Sequence, residues 1–128
     1  MRAVDTNVLV RLLVRDDAAQ VEKAKAFIAK GAWVSHLALV ETVWVLETVY
    51  GRSSRQIVEA LDLLLGDADL SIQDRDVAAR ALDRFRKRPA PGFADCLLLE
   101  VARKAGHLPL GTFDRNLAKL PDTTRLAD

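Results

Sequence analysis

Four acidic residues in this chain stand at positions from which, taken together, they could do chemistry. Asp5 ends the short apolar run "RAVD" and is followed at once by a second apolar segment, and Asp114 follows "LPLGT". Glu41 lies in "HLALVETVWVLETVY", with Leu37, Val40, Trp44 and Val45 around it, and Asp95 falls about one turn into the segment after "PAPG". Gathered together, carboxylates with no His or Cys among them form a set of hard oxygen ligands, suited to Mg²⁺ or Mn²⁺ and poorly suited to zinc. Each acid also has an ordinary explanation. Asp5 can cap a helix, Glu41 can lie on a solvated face, Asp95 can complement a helix dipole, and Asp114 can cap a short helix. One such acid would say little; four in a short chain are hard to attribute to separate accidents.

The pattern of the chain supplies elements to carry them. Arg2 to Val4 reads as a strand, followed by helical residues from about Val8 to Val14 and a second helix through "AAQVEKAKAFIAK", ended by Gly31. "AWVS" is a second strand, and "HLALVETVWVLETVY", apolar on nearly every side, predicts a mostly buried helix closed by Gly51. "SSRQIVEALDLLL" opens on capping serines, "LSI" is a third strand, and "RDVAARALDRFRKR" is amphipathic. After the break at "PAPG" come a helix through "FADCLLLEVARKAG", a strand "LPLGT", a short helix "DRNLAKL" and a last strand around "TRLA". Strands separated by helices imply parallel pairing, hence an α/β fold with a central parallel sheet flanked by helices in three layers. Ligands of such sheets bind beyond the carboxyl ends of the strands, where strand order reverses. Asp5 and Asp114 occupy such strand-end positions.

Composition narrows the function classes. The 128 residues predict one domain over residues 1–128, without repeats or low-complexity linkers. Half the residues are hydrophobic and the net charge is only +1, which excludes a generally basic coat for nucleic acid and leaves phosphate recognition to local clusters or a metal. Cys96 is the only cysteine, so no internal disulfide forms. Asp5 interrupts the apolar start before a signal-peptide core could form, and no uncharged run approaches bilayer length. The expectation is a soluble cytoplasmic protein.

"VDTNVLVRLL", "LALVETVWVLETVYG", "FADCLLLEVARKAG" and "GTFDRNLAKL" together resemble the four successive blocks of the PIN-domain nucleases, and in particular the VapC-type ribonuclease toxins of bacterial and archaeal toxin-antitoxin pairs. The resemblance covers essentially the whole chain in order and spacing. It implies that Asp5, Glu41, Asp95 and Asp114 are the catalytic acids, with Asp5 and Asp95 as direct ligands of Mg²⁺ or Mn²⁺. Glu41 and Asp114 would ligate directly, act through water, or orient the nucleophile. Asn7 and Thr112 take the family's polar positions beside the site, as hydrogen-bonding groups that hold the carboxylates. The family often carries an aromatic residue three after the last acid, where this chain has Leu117. The activity implied is endoribonucleolytic: a metal-activated water attacks the phosphodiester and leaves 5′-phosphate and 3′-hydroxyl ends. The implied partners are an RNA substrate, a small antitoxin that wraps the helices and blocks the acids, and a second copy of the chain. The apolar faces of "AAQVEKAKAFIAK" and "SSRQIVEALDLLL" would serve such contacts if the core did not claim them.

Substrate binding needs positive charge near this acidic centre. Arg84, Arg86, Lys87 and Arg88 lead into the segment that carries Asp95, and Arg115 adjoins Asp114. These would contact phosphates without sequence choice, although basic residues in a last helical turn also suit the dipole. Cys96 has no evident His partner and reads as a small core residue, His36 and His107 as structural or surface residues, and Trp33 and Trp44 as packing rather than base-stacking groups. No G-x-G-x-x-G or Walker A loop is present. An aspartyl-phosphate phosphatase would want D-x-D-x-T, but Asn7 and Leu9 occupy the later positions. A non-catalytic PIN-like module that only binds RNA or protein is the alternative; retention of all four acids speaks against it.

Overall fold

Each of the first four helices begins on a side chain that accepts a hydrogen bond from a backbone N–H three residues on: Asp5 from Val8, Asp17 from Gln20, Ser35 from Ala38 and Ser53 from Gln56. Such caps satisfy donors that a helix start leaves orphaned, so local sequence sets these boundaries. At Ser53 the bond is reciprocated by Gln56, completing a capping box. The computed structural model describes residues 1–127, which divide into two compact units, Met1–Arg75 and Asp76–Asp128.

The first unit runs β1 (Arg2–Ala3), α1 (Thr6–Val14), α2 (Ala18–Ile28), β2 (Ala32–Val34), α3 (His36–Thr48), α4 (Ser54–Gly66) and β3 (Leu70–Ile72). Its three strands form a parallel sheet in the order β1-β2-β3, with Arg2 opposite Ala32 and Ala32 opposite Leu70. Helix α1 packs against α2 and α3, and α3 against α4. Leu9, Val10, Ile28, Val34, Leu39, Ile57 and Leu61 are buried, as is Thr42, whose hydroxyl donates to the Ala38 carbonyl at 2.7 Å and so carries no unpaired polar atom into the core.

The second unit contains α5 (Arg75–Lys87, starting on the last residue of the first unit), α6 (Phe93–Ala105), β4 (Leu110–Thr112), a 3-10 turn at Leu117–Lys119 and β5 (Thr123–Arg125). β4 and β5 pair in parallel, Leu110 opposite Thr123. Phe85 meets Phe93 edge to face, ring centres 6.3 Å apart. Cys96 and Leu99 are fully buried. Glu100, only 3% exposed, is the one buried charge among the described residues; its Oε2 accepts from Arg84 Nε at 3.3 Å and Arg103 Nε at 3.0 Å.

The α/β class with parallel strands is as expected, but the strands fall into two hydrogen-bonded sheets instead of one, and neither reverses its order. Helix α1 starts at Thr6, two residues before the hydrophobic pattern does, because the cap and not the apolar period decides its start. Helix α3 departs further from expectation: Leu37 and Trp44 remain 66% and 62% exposed. Its apolar residues surround the axis, yet only the stripe Ala38, Leu39, Thr42, Val43 and Leu46 is covered. Trp33, with 39% of its surface exposed, is likewise not a core residue. No helix among the described residues is long and apolar enough to cross a membrane.

Gly92 precedes α6 with φ +118° and ψ 161°, a conformation that L side chains rarely adopt, and its carbonyl accepts from the Cys96 N–H at 3.1 Å. Gly92→Ala should therefore destabilise the protein by about 1–3 kcal/mol, although no atom blocks a Cβ there. A urea midpoint equal to that of the parent would show that this backbone relaxes freely.

Candidate active site

In the first unit, Asp5 leaves β1 in extended backbone and uses Oδ1 to cap α1, 3.1 Å from the Val8 nitrogen. The capping role and a ligand role are compatible, because the cap occupies one of two carboxylate oxygens. Glu41 is exposed on α3, and the Thr6 hydroxyl, one residue after Asp5, donates to its Oε2 at 2.9 Å. Packing of α1 on α3 thus fixes Glu41 to the residue beside Asp5 across 35 positions of sequence. Thr6 was not among the expected site residues. Among the described residues Asn7 donates to neither acid; it is exposed and lines, with Asp5, Gln20 and Lys23, an open groove of about 420 Å³.

In the second unit, Asp95 lies in the first turn of α6, partly buried. Burial, and then the negative charge of Asp114, holds its carboxyl above the usual aspartate range. Asp114 is exposed; its Oδ1 accepts from the Leu117 N–H at 2.8 Å, capping the 3-10 turn, and its own N–H donates to Thr112 Oγ1 at 2.9 Å. Thr112 therefore holds the backbone of Asp114 rather than its carboxylate. Phe113, between them, is 61% exposed, an aromatic face that composition alone did not single out.

The remaining candidates separate clearly. Arg84 is partly buried and donates its Nε to the buried Glu100; Arg86, Lys87, Arg88 and Arg115 are exposed at the surface. Cys96 is fully buried, and burial pushes its thiol up to about 11, so it is no nucleophile at neutral pH. His107 is exposed, and His36 opens α3 with its backbone N–H bonded to Gln73 Oε1 at 2.9 Å.

Among the described residues no group of three or more His, Cys, Asp or Glu side chains forms a ready metal cage. The donor chemistry nevertheless fits Mg²⁺, which keeps several waters and is commonly held by one or two carboxylates together with substrate phosphate. The mutual repulsion of Asp95 and Asp114 is what a cation would relieve.

No curated protein and no solved structure matches the chain. The family model of the PIN domain matches residues 2–122, a span that includes β1, all six helices, β4 and all four acids. The chain belongs to the PIN-domain family.

Proposed function

We propose that residues 1–128 act as one functional domain, a Mg²⁺- or Mn²⁺-dependent endoribonuclease that is the toxin component of a type II toxin-antitoxin pair. PIN domains are generally nucleases and typically use divalent metal ions. The observation that carries the reading is the presence, within the family match, of four carboxylates on the elements that should present them, three of them at strand ends or in a first helical turn. Asp5 and Asp95 would hold the metal directly, with Glu41 and Asp114 joining directly or through water. Such an ion would supply positive charge for the scissile phosphate and acidify a water. Thr6 positions the Glu41 carboxylate, Thr112 positions Asp114, and Asn7 adds a polar group beside Asp5. Arg86, Lys87, Arg88 and Arg115 hold flanking phosphates with no preference among bases. A base stacks on the exposed ring of Phe113.

Leu37, Trp44 and Val49 on and just after α3, and Leu63 of α4, are all largely exposed and support a protein-binding surface. A second copy and a small antitoxin are the partners proposed for it, with the protein working in the cytoplasm. Light scattering at tens of micromolar should give a dimer mass; a strict monomer would count against the toxin role and spare the nuclease one.

Structured RNAs incubated with the purified chain and Mg²⁺ or Mn²⁺ should be cut at discrete places and survive in EDTA. Uncut RNA under all metal conditions, with binding retained, would support the non-catalytic module instead. Thr6→Val should lower the cleavage rate about 10–100-fold while leaving the melting temperature nearly unchanged, as expected when a group that orients an acid is lost. An unaltered rate would remove Thr6 from the site.

A further inference from the structure

An open cleft of about 530 Å³ between α5 and α6 is lined by five cations, Arg80, Arg84, Lys87, Arg88 and Arg103, against two carboxylates, Asp83 and Glu100. Positions 80, 84, 87 and 88 share one face of α5 and its end because they are three or four residues apart. Glu100 is already spent: its buried Oε2 accepts from Arg84 and Arg103 together. Arg103 also donates from Nη1 to Asp122 at 2.8 Å. Its third nitrogen, Nη2, is buried and has no hydrogen-bond partner among the described residues. A buried donor left unsatisfied costs about 1–3 kcal/mol, more when it is charged. Arg103 itself lines the cleft, and an oxyanion seated there would answer the excess of positive charge.

We propose that this cleft is a phosphate-binding subsite, with Arg103 and Arg84 as its inner donors and Arg80, Lys87 and Arg88 at its mouth. The ligand is a phosphate group, either one carried by the RNA strand or a free phosphate anion; the first source rests on the ribonuclease reading. Arg103 follows Asp95 by eight residues on the same helix, about 12 Å along its axis. That distance is several times the roughly 3.4 Å rise per nucleotide of a stacked strand. A strand cut at Asp95 would therefore offer this cleft a flanking phosphate and not the scissile one.

The test uses the whole chain in EDTA, where RNA is not cut. Inorganic phosphate is titrated at constant ionic strength against the ¹⁵N side-chain resonances of Arg84 and Arg103, and labelled single-stranded RNA is bound at several salt concentrations. Saturable shifts of Arg103 are expected with phosphate and not with chloride. In Arg80→Gln/Arg88→Gln, two changes outside the ion pairs of Glu100, the slope of log K against log salt should fall by ~0.7 for each phosphate no longer neutralised. Arg103→Lys, checked for folding by circular dichroism, should keep the charge and lose the saturable phosphate response read at Arg84. A phosphate shift with an unchanged RNA slope would support the subsite and assign it to a free anion. Absence of both effects would overturn it. If wild-type chain neither binds nor cuts RNA, the ribonuclease reading fails, and the phosphate titration still decides the subsite.

Discussion

Asp95→Asn should reduce metal-dependent RNA cleavage by a factor on the order of 10²–10³ or more, while in EDTA at neutral pH the variant melts roughly 1–3 °C above the parent. The two effects share one cause. Burial and then the charge of Asp114 hold the Asp95 carboxyl above its ordinary value of 3.8. An acid whose pKa is higher in the folded than in the unfolded chain favours folding at low pH, and that contribution is lost as pH rises from the unfolded value through the folded one. At neutral pH without metal, the fold therefore carries an ionised Asp95 at a cost. Asparagine removes the charge and keeps the shape. The difference in melting temperature should shrink as pH falls towards the ordinary aspartate range, where the parent's carboxyl also becomes neutral. A variant that melts well below the parent at neutral pH would mean that Asp95 is structural. Asp5 offers a contrast, since asparagine caps a helix as well as aspartate does: Asp5→Asn should keep stability and lose cleavage, whereas Asp5→Ala should also lose about 1 kcal/mol with the cap.

The ends of the cut RNA should be a 5′-phosphate on the downstream fragment and a free 3′-hydroxyl on the upstream one. A ribonuclease that works without metal commonly lets the substrate's own 2′-hydroxyl attack phosphorus while side-chain acids and bases move the protons, and it leaves a cyclic or 3′-phosphate. The only two histidines in the sequence are His107, exposed after α6, and His36, which opens α3 five residues before Glu41. Attack by a water expels the 3′-oxygen and needs no 2′-hydroxyl. Replacing that hydroxyl with 2′-O-methyl at the scissile nucleotide should leave cleavage measurable, EDTA should abolish it, and Mg²⁺ or Mn²⁺ should restore it. Cyclic 2′,3′-phosphate ends formed undisturbed in EDTA would overturn the roles given to Asp5, Glu41, Asp95 and Asp114.

Local chemistry controls the features of this fold that can be read along the chain. Caps at Asp5, Asp17, Ser35 and Ser53 mark helix starts within a few residues of chain, and the succession of strands and helices follows from hydrophobic period and from breaks such as "PAPG". The acids were legible by type and by their place after strands or within helices. Tertiary structure decided the rest. Helix α3 is apolar nearly all round, so its own pattern has no means to choose which stripe is covered; packing on α1 and α4 makes the choice and leaves Glu41, Leu37 and Trp44 outside. Glu100 in "LLLEVARK" reads as an ordinary helical acid, yet it is the buried charge that claims Arg84 and Arg103. The bond from Thr6 to Glu41 joins residues 35 positions apart. Local propensity reaches about one helical turn along the chain, whereas burial and ion pairing depend on which surfaces meet, and only the folded chain brings those surfaces together.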